Sequence, residues 1–177
     1  ESEKENYLLF LGRITPFKGI LEAIAVAQKT NVPLIIVAKV DPVDEEFYEK
    51  EVKDKIDGKL VRFVGEADFA GKTEYLKKAK CLLFPILWEE PFGLVMVEAL
   101  ACGTPVAAFR RGSVPEIIQD GVSGFIVDNV DEMVEAVGKT ETISAEKCRE
   151  SVEKRFSVER MVDEYESAFE KIAVKNK

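Results

Sequence analysis

The sequence YLLFLGRITPFKG at residues 7–19 joins an apolar strand to the start of a helix through one short loop, and this pattern sets the prediction of the fold. Residues 7–11 are apolar or aromatic and predict a strand, and a helical pattern of apolar residues follows at 19–29. Residues 33–40 predict a second strand, apolar enough to be buried on both faces. A strand, a helix and a strand in this order predict a parallel βαβ unit.

The same alternation continues along the rest of the chain. Short apolar runs predict strands at residues 59–64, 81–84, 105–109 and 124–127, and helical patterns fall at residues 44–57, 71–79, 92–101 and 114–119 and again after 127. We therefore predict an α/β fold, a doubly wound, Rossmann-like parallel sheet with helices on both faces. It fills a single domain over residues 1–177, with a C-terminal helix near residues 157–174.

The composition excludes several classes of function. The 177 residues carry 25 Lys and Arg against 33 Asp and Glu, a net charge of −8, which disfavours binding to the backbone of a nucleic acid. The chain contains no His, so no imidazole can act as a general base or bind a metal. Any chemistry therefore depends on carboxylates, Lys, Arg or the backbone.

The cysteines and the start of the chain bear on location. Cys81, Cys102 and Cys148 are odd in number and form no CxxC pair, which indicates reduced thiols and a cytoplasmic protein. No apolar run reaches the roughly 20 residues needed to cross a bilayer. Residues 1–6 contain neither a starting Met nor the apolar core of a signal peptide, and we expect further chain upstream.

Ligands of doubly wound sheets bind at the carboxyl ends of the strands, and the loop after residues 7–11 carries two cations there. Gly12 permits a tight turn, and Arg13 and Lys18 stand near a helix N-terminus, where a cation is unfavourable unless an anion neutralises it. A diphosphate would supply that anion. The alternative is a pair of solvated surface charges. Neither GxGxxG nor a Walker A motif is present, which disfavours ordinary dinucleotide and P-loop sites.

A second unusual stretch is WEEPFGLVMVEALACG at residues 88–103. As a helix, residues 92–101 are apolar nearly all round, and Glu98 is the one charge among them. A buried carboxylate needs hydrogen-bond donors, and the two hydroxyls of a ribose are suitable. The alternative for Glu98 is an ion pair with a Lys or Arg at the edge of the core.

Glu90 lies just before the predicted start of this helix. The free backbone N–H groups of residues 92–94 can hold an anion or a sugar oxygen there. The alternative role of Glu90 is charge compensation at the helix N-terminus. A third loop, at residues 110–116, contains Ser113 and Glu116 at the spacing of a capping box, and this structural role accounts for both. Gly112 and the two arginines, Arg110 and Arg111, stay as candidate ligand contacts, and the sequence leaves the role of the arginines open.

Together these motifs resemble the retaining glycosyltransferases of the large group 1 family, also called GT4. The resemblance rests on Gly12-Arg13 with Lys18-Gly19, Glu90-x7-Glu98 within Glu-Pro-Phe-Gly-Leu-x3-Glu-Ala, Ala101-x-Gly103-x-Pro105-Val106, Gly112-Ser-Val-Pro-Glu116 and Gly121-x2-Gly124-Phe-Ile-Val. It covers essentially the whole chain, but only the C-terminal, donor-binding half of a GT-B enzyme. It implies that an N-terminal acceptor domain lies outside these residues and that the helix near residues 157–174 packs toward it.

The resemblance implies a role for each residue singled out above. Arg13 and Lys18 would bind the diphosphate of a nucleotide-sugar and offset the charge of the leaving group. Glu90 would contact hydroxyls of the donor sugar, and Glu98 those of the ribose. The remaining donor-binding residues would be Gly12 beside the phosphates, the backbone of Phe92, Gly93 and Leu94 along the sugar and phosphate, and Phe63 and Val64 around the base. Neither a metal nor another cofactor is implied.

The implied reaction moves a hexosyl group, mannosyl or glucosyl, from a GDP- or UDP-sugar to a saccharide or lipid-linked acceptor with retention. We expect the chain alone to bind the donor without turnover, and the whole protein to be cytoplasmic with peripheral membrane contact through its other half. The alternative is a non-catalytic nucleotide-binding or regulatory module that kept the fold. A Rossmann oxidoreductase is disfavoured because GxGxxG is missing, and a GT-B phosphorylase because no Lys is placed for a pyridoxal cofactor.

Overall fold

The computed structural model describes residues 3–175 and arranges them around one sheet of six parallel strands. The strands are β1 (Leu8–Arg13), β2 (Leu34–Lys39), β3 (Val61–Gly65), β4 (Cys81–Phe84), β5 (Val106–Phe109) and β6 (Gly124–Val127). Their order across the sheet is β3-β2-β1-β4-β5-β6. This order confirms the predicted doubly wound, Rossmann-like fold, because the connections reverse direction between β1 and β4.

Helices pack on both faces of the sheet. The α-helices of the described residues are α1 (Ile20–Thr30), α2 (Glu45–Phe47), α3 (Phe69–Lys78), α4 (Leu94–Ala101), α5 (Val114–Ile117), α6 (Val130–Lys139), α7 (Ala145–Glu153) and α8 (Val158–Lys175). Helices α1 and α6 bury their apolar residues against one face, and α3, α4, α5 and α7 against the other. Strand residues alternate between these two cores: Leu8 and Phe10 belong to the first, and Leu9 to the second.

The predicted burial of the second strand on both faces is confirmed. All residues of β2 except Lys39 are buried, and β4 and β5 are buried throughout. Apolar runs without polar alternation are what a parallel strand needs when helices cover both of its faces. The edge strands β3 and β6 retain partly exposed residues.

The prediction of one regular helix at residues 44–57 is wrong. The chain there forms a 3-10 turn at Pro42–Asp44, the short α2, a π turn at Tyr48–Val52 and a second 3-10 turn at Lys53–Lys55. Within residues 42–55, Val52 alone is fully buried. Because so little of the segment is held by packing, the core does not impose one helical geometry on it.

Several other predicted boundaries differ from the structure by one or two residues, and three of these differences have a local reason. Helix α4 begins at Leu94 rather than 92, because Gly93 has a left-handed φ of +79°. Helix α5 ends at Ile117 rather than 119, because the next residue turns to an extended conformation. Strand β1 continues through Gly12 and Arg13, which were predicted to lie in a loop, and pairs them with residues 38 and 39 of β2.

Helix α8 confirms the helix predicted near residues 157–174, displaced by one residue at each end. Between residues 158 and 173, its large apolar side chains recur at helical spacing and are exposed: Val158, Met161, Val162, Tyr165, Phe169 and Ile172. Residues 1, 2, 176 and 177 of the predicted domain lie outside the described residues. Across residues 3–175, no helix has both the length and the apolar character needed to cross a membrane.

Candidate functional site

A cleft opens at the edge of the sheet where the strand order reverses between β1 and β4. Its cavity has a volume of about 330 Å³. The lining residues come from the ends of β1 and β4, the first turns of α4 and the loop before α1: Phe10, Leu11, Gly12, Arg13, Lys18, Leu83, Phe84, Gly93, Leu94, Val95 and Glu98. Six of the predicted site residues therefore lie around one cavity.

Gly19 determines where Lys18 can lie. Its φ is +75°, and a Cβ at this position would overlap the carbonyl oxygen of Pro85. Glycine thus allows the start of α1 to touch the chain that follows β4. Across the same contact, the backbone N–H of Leu87 donates a hydrogen bond of 2.9 Å to the carbonyl oxygen of Phe17. The loops after β1 and β4 are held together as one unit.

Lys18 and Glu90 form an ion pair across these two loops. The Lys18 ammonium donates a hydrogen bond to Glu90 Oε2, and Trp88 Nε1 donates to the same oxygen at 2.9 Å. The ammonium also lies 5.3 Å from the centre of the Trp88 ring. The two paired side chains are only 20% and 13% exposed. A cation near this helix start needs an anion, and within the chain Glu90 supplies it.

The loop between β5 and α5 supports Glu90 from behind. Gly112 has a φ of +49°, and a Cβ there would overlap the backbone of Glu90. The Ser113 backbone N–H donates to the Glu90 carbonyl oxygen at 2.9 Å, and its Oγ donates to the carbonyl oxygen of Phe92 at 2.6 Å. The predicted capping box of Ser113 and Glu116 is therefore wrong: the Ser113 hydroxyl holds the chain before α4 instead of capping α5.

Glu98 lies at the mouth of the cleft and is paired with Lys72 of α3. The Lys72 ammonium donates to Glu98 Oε1 at 2.6 Å, and the side chains are 24% and 35% exposed. Glu98 is thus half-buried rather than enclosed, and the ion pair that was the alternative prediction is present. Sequence reasoning missed Lys72. It lies in the first turn of α3, where a cation is unfavourable without an anion, as it is for Lys18 at the start of α1.

A smaller cavity of about 130 Å³ adjoins the cleft and shares Leu11 and Gly12 with it. It lies toward the ends of β2 and β3. Its lining is Leu11, Gly12, Val37, Ala38, Lys39, Glu66, Ala67 and Lys72. The Lys72–Glu98 pair stands between the two cavities, because Lys72 lines the smaller one and Glu98 the larger.

Asp41, which follows β2, binds two cations at the same edge. Lys39 Nζ lies 2.8 Å from one carboxylate oxygen, and Arg13 Nη1 lies 3.3 Å from the other. The hydrogen bond from Lys39, and then that from Arg13, hold the pKa of Asp41 below its usual value of 3.8. Nothing in the motifs pointed to Asp41, because its role comes from strand pairing that places Arg13 beside Lys39.

Some predicted residues do not reach the cleft. Phe63 packs in the core with its ring 5.7 Å from that of Tyr48, and Val64 lines a groove beside α3 with Arg62. The Phe92 side chain lies against Phe156, ring centres 5.7 Å apart. From the end of β3 onward, it is Glu66 and Ala67 that line a cavity at the site, and a role of Phe63 and Val64 around a base stays a prediction.

Arg110 and Arg111 also lie apart from these cavities. Arg110 Nε is 3.2 Å from the Asp128 carboxylate, and both arginines are exposed. Among residues 3–175, no three Asp, Glu or Cys side chains converge closely enough to hold a metal ion. The expectations of no metal and no cofactor stay predictions.

Comparison with known proteins places this geometry in a family. The family described as "Glycosyl transferases group 1" matches residues 1–155. A phosphatidyl-myo-inositol mannosyltransferase of Mycobacterium leprae is 34% identical over 128 residues, 68% of this chain and 32% of the relative. A probable sucrose-phosphate synthase of Thermosipho melanesiensis is 29% identical over 174 residues, 93% of this chain and 41% of the relative.

The fold is shared with solved glycosyltransferase structures. A sucrose-phosphate synthase from Thermosynechococcus elongatus superposes with a TM-score of 0.83 at 24% identity, covering 97% of this chain and 46% of that one. The chain spans less than half the length of each of these three proteins. Because the family match extends over residues 1–155, the chain belongs to the group 1 glycosyltransferases.

Proposed function

We propose that this chain is the donor-binding half of a glycosyltransferase that moves a mannosyl or glucosyl group from a nucleotide-diphospho-sugar to a saccharide or lipid-linked acceptor with retention. The observation that supports it most is the meeting of Arg13, Lys18 and Glu98 around one cleft, with Glu90 on Lys18. The cleft lies at the switch point of the sheet, where ligands of this fold bind. Two cations and two carboxylates there match a ligand with phosphates at one end and hydroxyls at the other.

When the donor binds, its diphosphate would replace the carboxylates of Asp41 and Glu90 as the partner of Arg13 and Lys18. Arg13 is 58% exposed and tied to Asp41 at 3.3 Å, so it can turn toward a phosphate at little cost. Lys18 is held more firmly, and its ammonium has further N–H donors beyond the one on Glu90. As the bond to the sugar breaks, negative charge grows on the diphosphate, and these two cations stabilise it.

Glu90 would keep its place when Lys18 turns to the phosphate. Trp88 Nε1 still donates to Glu90 Oε2 at 2.9 Å, and the backbone of residues 112 and 113 still holds its loop. The second carboxylate oxygen accepts no hydrogen bond from any residue in the part of the chain described. That oxygen is available to accept from a hydroxyl of the donor sugar.

The relatives support transfer of a hexose without deciding which. One is named a mannosyltransferase and another a probable sucrose-phosphate synthase. We favour a mannosyl group over a glucosyl group. A GDP- or UDP-sugar is the expected donor.

The other half of the enzyme would supply the acceptor site and cover α8. The exposed stripe along α8, with Met161, Tyr165 and Phe169 at its centre, is unusual for a free surface, and the chain spans under half of its relatives. We infer that the N-terminal half packs on this stripe, that the protein works in the cytoplasm, and that any membrane contact comes from that half. This chain alone would then bind donor but transfer nothing.

Calorimetric titration of the chain with UDP, GDP, ADP and their sugar conjugates tests donor binding. One nucleoside diphosphate is expected to bind, and Arg13→Met and Lys18→Met are each expected to weaken it about tenfold or more. The matching nucleoside should bind equally to all variants. Lys50→Met, which removes a solvated ion pair with Glu46, is the matched control. No binding by any nucleotide to folded protein would overturn the proposal.

Turnover distinguishes a transferase from the alternative, a non-catalytic nucleotide-binding module. The full-length protein carrying this chain would bind the donor in either case. Release of sugar to an acceptor, followed by mass spectrometry, is expected only for the transferase. A full-length protein that binds the donor and transfers to neither saccharide nor lipid-linked acceptors would favour the module.

A further inference from the structure

Asp41 is an acidic residue beside the cleft that no motif predicted, and it binds cations from two neighbouring strands. Arg13 at the end of β1 is the register partner of Lys39 at the end of β2, and Asp41 follows two residues later. We propose that Asp41 competes with the diphosphate for Arg13 and thereby promotes release of the nucleoside diphosphate product. This inference rests on the proposed function, because it assigns a regulatory residue to the same cleft.

The carboxylate of Asp41 is divided between the two cations. Lys39 Nζ lies 2.8 Å from Oδ1, and Arg13 Nη1 lies 3.3 Å from Oδ2. The hydrogen bond from Lys39 lowers the pKa of Asp41 more than the one from Arg13 does. Arg13 is therefore the weaker partner, and it can leave for a phosphate while Lys39 still neutralises the carboxylate.

The turn after β2 fixes the position of Asp41. The backbone N–H of Asp44 donates to the Asp41 carbonyl oxygen at 2.8 Å, and Pro42 restricts the φ of the next residue in the turn. The Asp41 carboxylate does not cap this turn, and its side chain is 20% exposed against 58% for Arg13. The carboxylate therefore stays beside β2, and Arg13 is the group that moves between it and the cleft.

Asp41 acts through Arg13 rather than through contact with the donor. Arg13 lines the cleft and Lys39 lines the smaller cavity, whereas Asp41 lines neither of them. A carboxylate this close to a guanidinium offsets part of the positive charge that attracts a phosphate. Asp41 is thus a positioning residue, which holds Arg13 when the cleft is empty and draws it back from a bound anion.

The effect should be larger for the product than for the donor. In the donor the terminal phosphate is esterified to the sugar, whereas in the free nucleoside diphosphate it ionises a second time with a pKa of about 6. The product therefore carries about one more negative charge than the donor near neutral pH. The cations that stabilise the leaving group also retain it afterwards, and a carboxylate that opposes them shortens this retention.

Calorimetric titration of the chain with UDP, GDP and ADP, and with their glucose and mannose conjugates, tests this role. For the nucleotide that binds the wild type best, Asp41→Asn should strengthen binding of the free diphosphate about fivefold and of its sugar conjugate about twofold. The parent nucleoside should bind equally to both proteins. Glu135→Gln, which removes a carboxylate from a solvated ion pair with Lys139, is the control and should match the wild type.

A second substitution separates competition for Arg13 from a general effect of charge. Lys39→Met should weaken the free diphosphate about fivefold, because Asp41 then holds Arg13 alone. In the Asp41→Asn background, the same change should alter the affinity by less than about twofold, because no carboxylate remains to compete. Equal weakening in the two backgrounds would show that Lys39 attracts the phosphates directly, and the inference would be wrong.

The sign of the change at Asp41 decides between competition and support. Weaker or unchanged diphosphate binding in Asp41→Asn would mean that Asp41 only stabilises the strand ends, and equal strengthening of the diphosphate and its sugar conjugate would exclude a role in release. Either result overturns this inference, whereas weaker binding by Arg13→Met would still support the proposed function. If Asp41→Asn is unfolded by circular dichroism, Asp41→Ser replaces it with the same expectations. Failure of every nucleotide to bind the wild type would overturn the proposed function first, and this inference with it.

Discussion

The cleft at the strand ends and the groove between α4 and α8 meet at Leu94, yet they are built in opposite ways. In the cleft, Lys18 is paired with Glu90 and Lys72 with Glu98. The groove has a volume of about 680 Å³ and an apolar lining with few polar partners: Phe92, Leu94, Val97, Arg155, Phe156, Ser157, Val158, Met161, Glu164, Tyr165 and Ala168. In one region the charged side chains are paired within this chain, and the other region presents apolar surface to water.

The difference reflects what each kind of surface costs when it is left alone. A sheltered charge without a partner is expensive, so the charged cleft needs counter-ions from its own chain even without a ligand. Exposed apolar surface raises the free energy of the folded chain only in proportion to its area, so it can remain exposed until another surface packs on it. Leu94 is 68% exposed and Phe169 is 64% exposed. The chain therefore folds around a cleft whose charges are already paired, while the apolar side chains of its last helix stay exposed.

Gly19→Ala tests the frame of the cleft and should have the largest effect. The left-handed φ of +75° strains any residue with a Cβ, and that Cβ would overlap the Pro85 carbonyl oxygen. We expect the free energy of unfolding to fall by about 3 kcal/mol or more, from strain of roughly 1–2 and overlap of roughly 1–3. Urea denaturation measures it, and nucleotide affinity should fall as Lys18 is displaced.

Gly58→Ala is the matched control for this change. Gly58 has nearly the same φ, +71°, but nothing lies within 4 Å of the position of its Cβ. Only the strain remains, and we expect a loss of about 1–2 kcal/mol. Equal losses at the two glycines would show that the contact between the loops after β1 and β4 does not stabilise the cleft.

Lys18→Met tests whether the cleft needs its internal counter-ions. Glu90, only 13% exposed, would keep the Trp88 indole as its remaining side-chain donor. We expect the free energy of unfolding to fall by about 1–2 kcal/mol. The double variant Lys18→Met/Glu90→Gln should recover part of that loss, because it removes the unpaired charge. Lys50→Met should change stability by under about 0.5 kcal/mol. A double variant less stable than Lys18→Met would contradict this account of the pair.

The same contrast explains what could be predicted from the sequence. Apolar runs and helical spacing are local, and they predicted the six strands and their doubly wound, parallel arrangement. They did not predict the strand order, in which β1 and β4 are neighbours. Glu98 stood out because its charge interrupts an apolar helical pattern, and Lys18 and Glu90 because they lie at the predicted starts of helices. Their pairing, and that of Lys72 with Glu98, depends on side chains that meet across 72 and 26 residues of chain. No local pattern encodes where those side chains point.

Ser113 and Glu116 show the opposite failure. Their spacing matches a capping box, but tertiary contact with the chain before α4 offered the Ser113 hydroxyl a carbonyl oxygen at 2.6 Å. A local preference worth about 1 kcal/mol is easily outweighed by such a contact. In the same way, Gly93 and its φ of +79° delayed the start of α4 although the apolar pattern began earlier.

The titration of Asp41 tests the ion pairs at the end of β2 and should change the free energy of unfolding less than the substitutions above. Its pKa lies below the usual 3.8 because Lys39 and Arg13 donate to it, so the unfolded chain takes up this proton first as the pH falls. The stabilising contribution is complete above pH 3.8 and is lost as the pH falls through the lower, folded value. Carboxyl NMR should show a midpoint below 3.8 that rises more in Lys39→Met than in Arg13→Met. A larger rise in Arg13→Met would reverse the assigned order of the two partners.

Phe169→Ala tests the apolar groove and should have the smallest effect on stability. The ring is 64% exposed, and its nearest aromatic neighbour, Tyr165, is itself exposed with ring centres 6.1 Å apart. We expect the free energy of unfolding to change by less than about 0.5 kcal/mol, since little area is buried and Ala favours a helix more than Phe. Binding of a hydrophobic dye should nevertheless fall. A loss above about 1 kcal/mol would mean that α8 is part of this domain's core, and that its apolar stripe is not available to another surface.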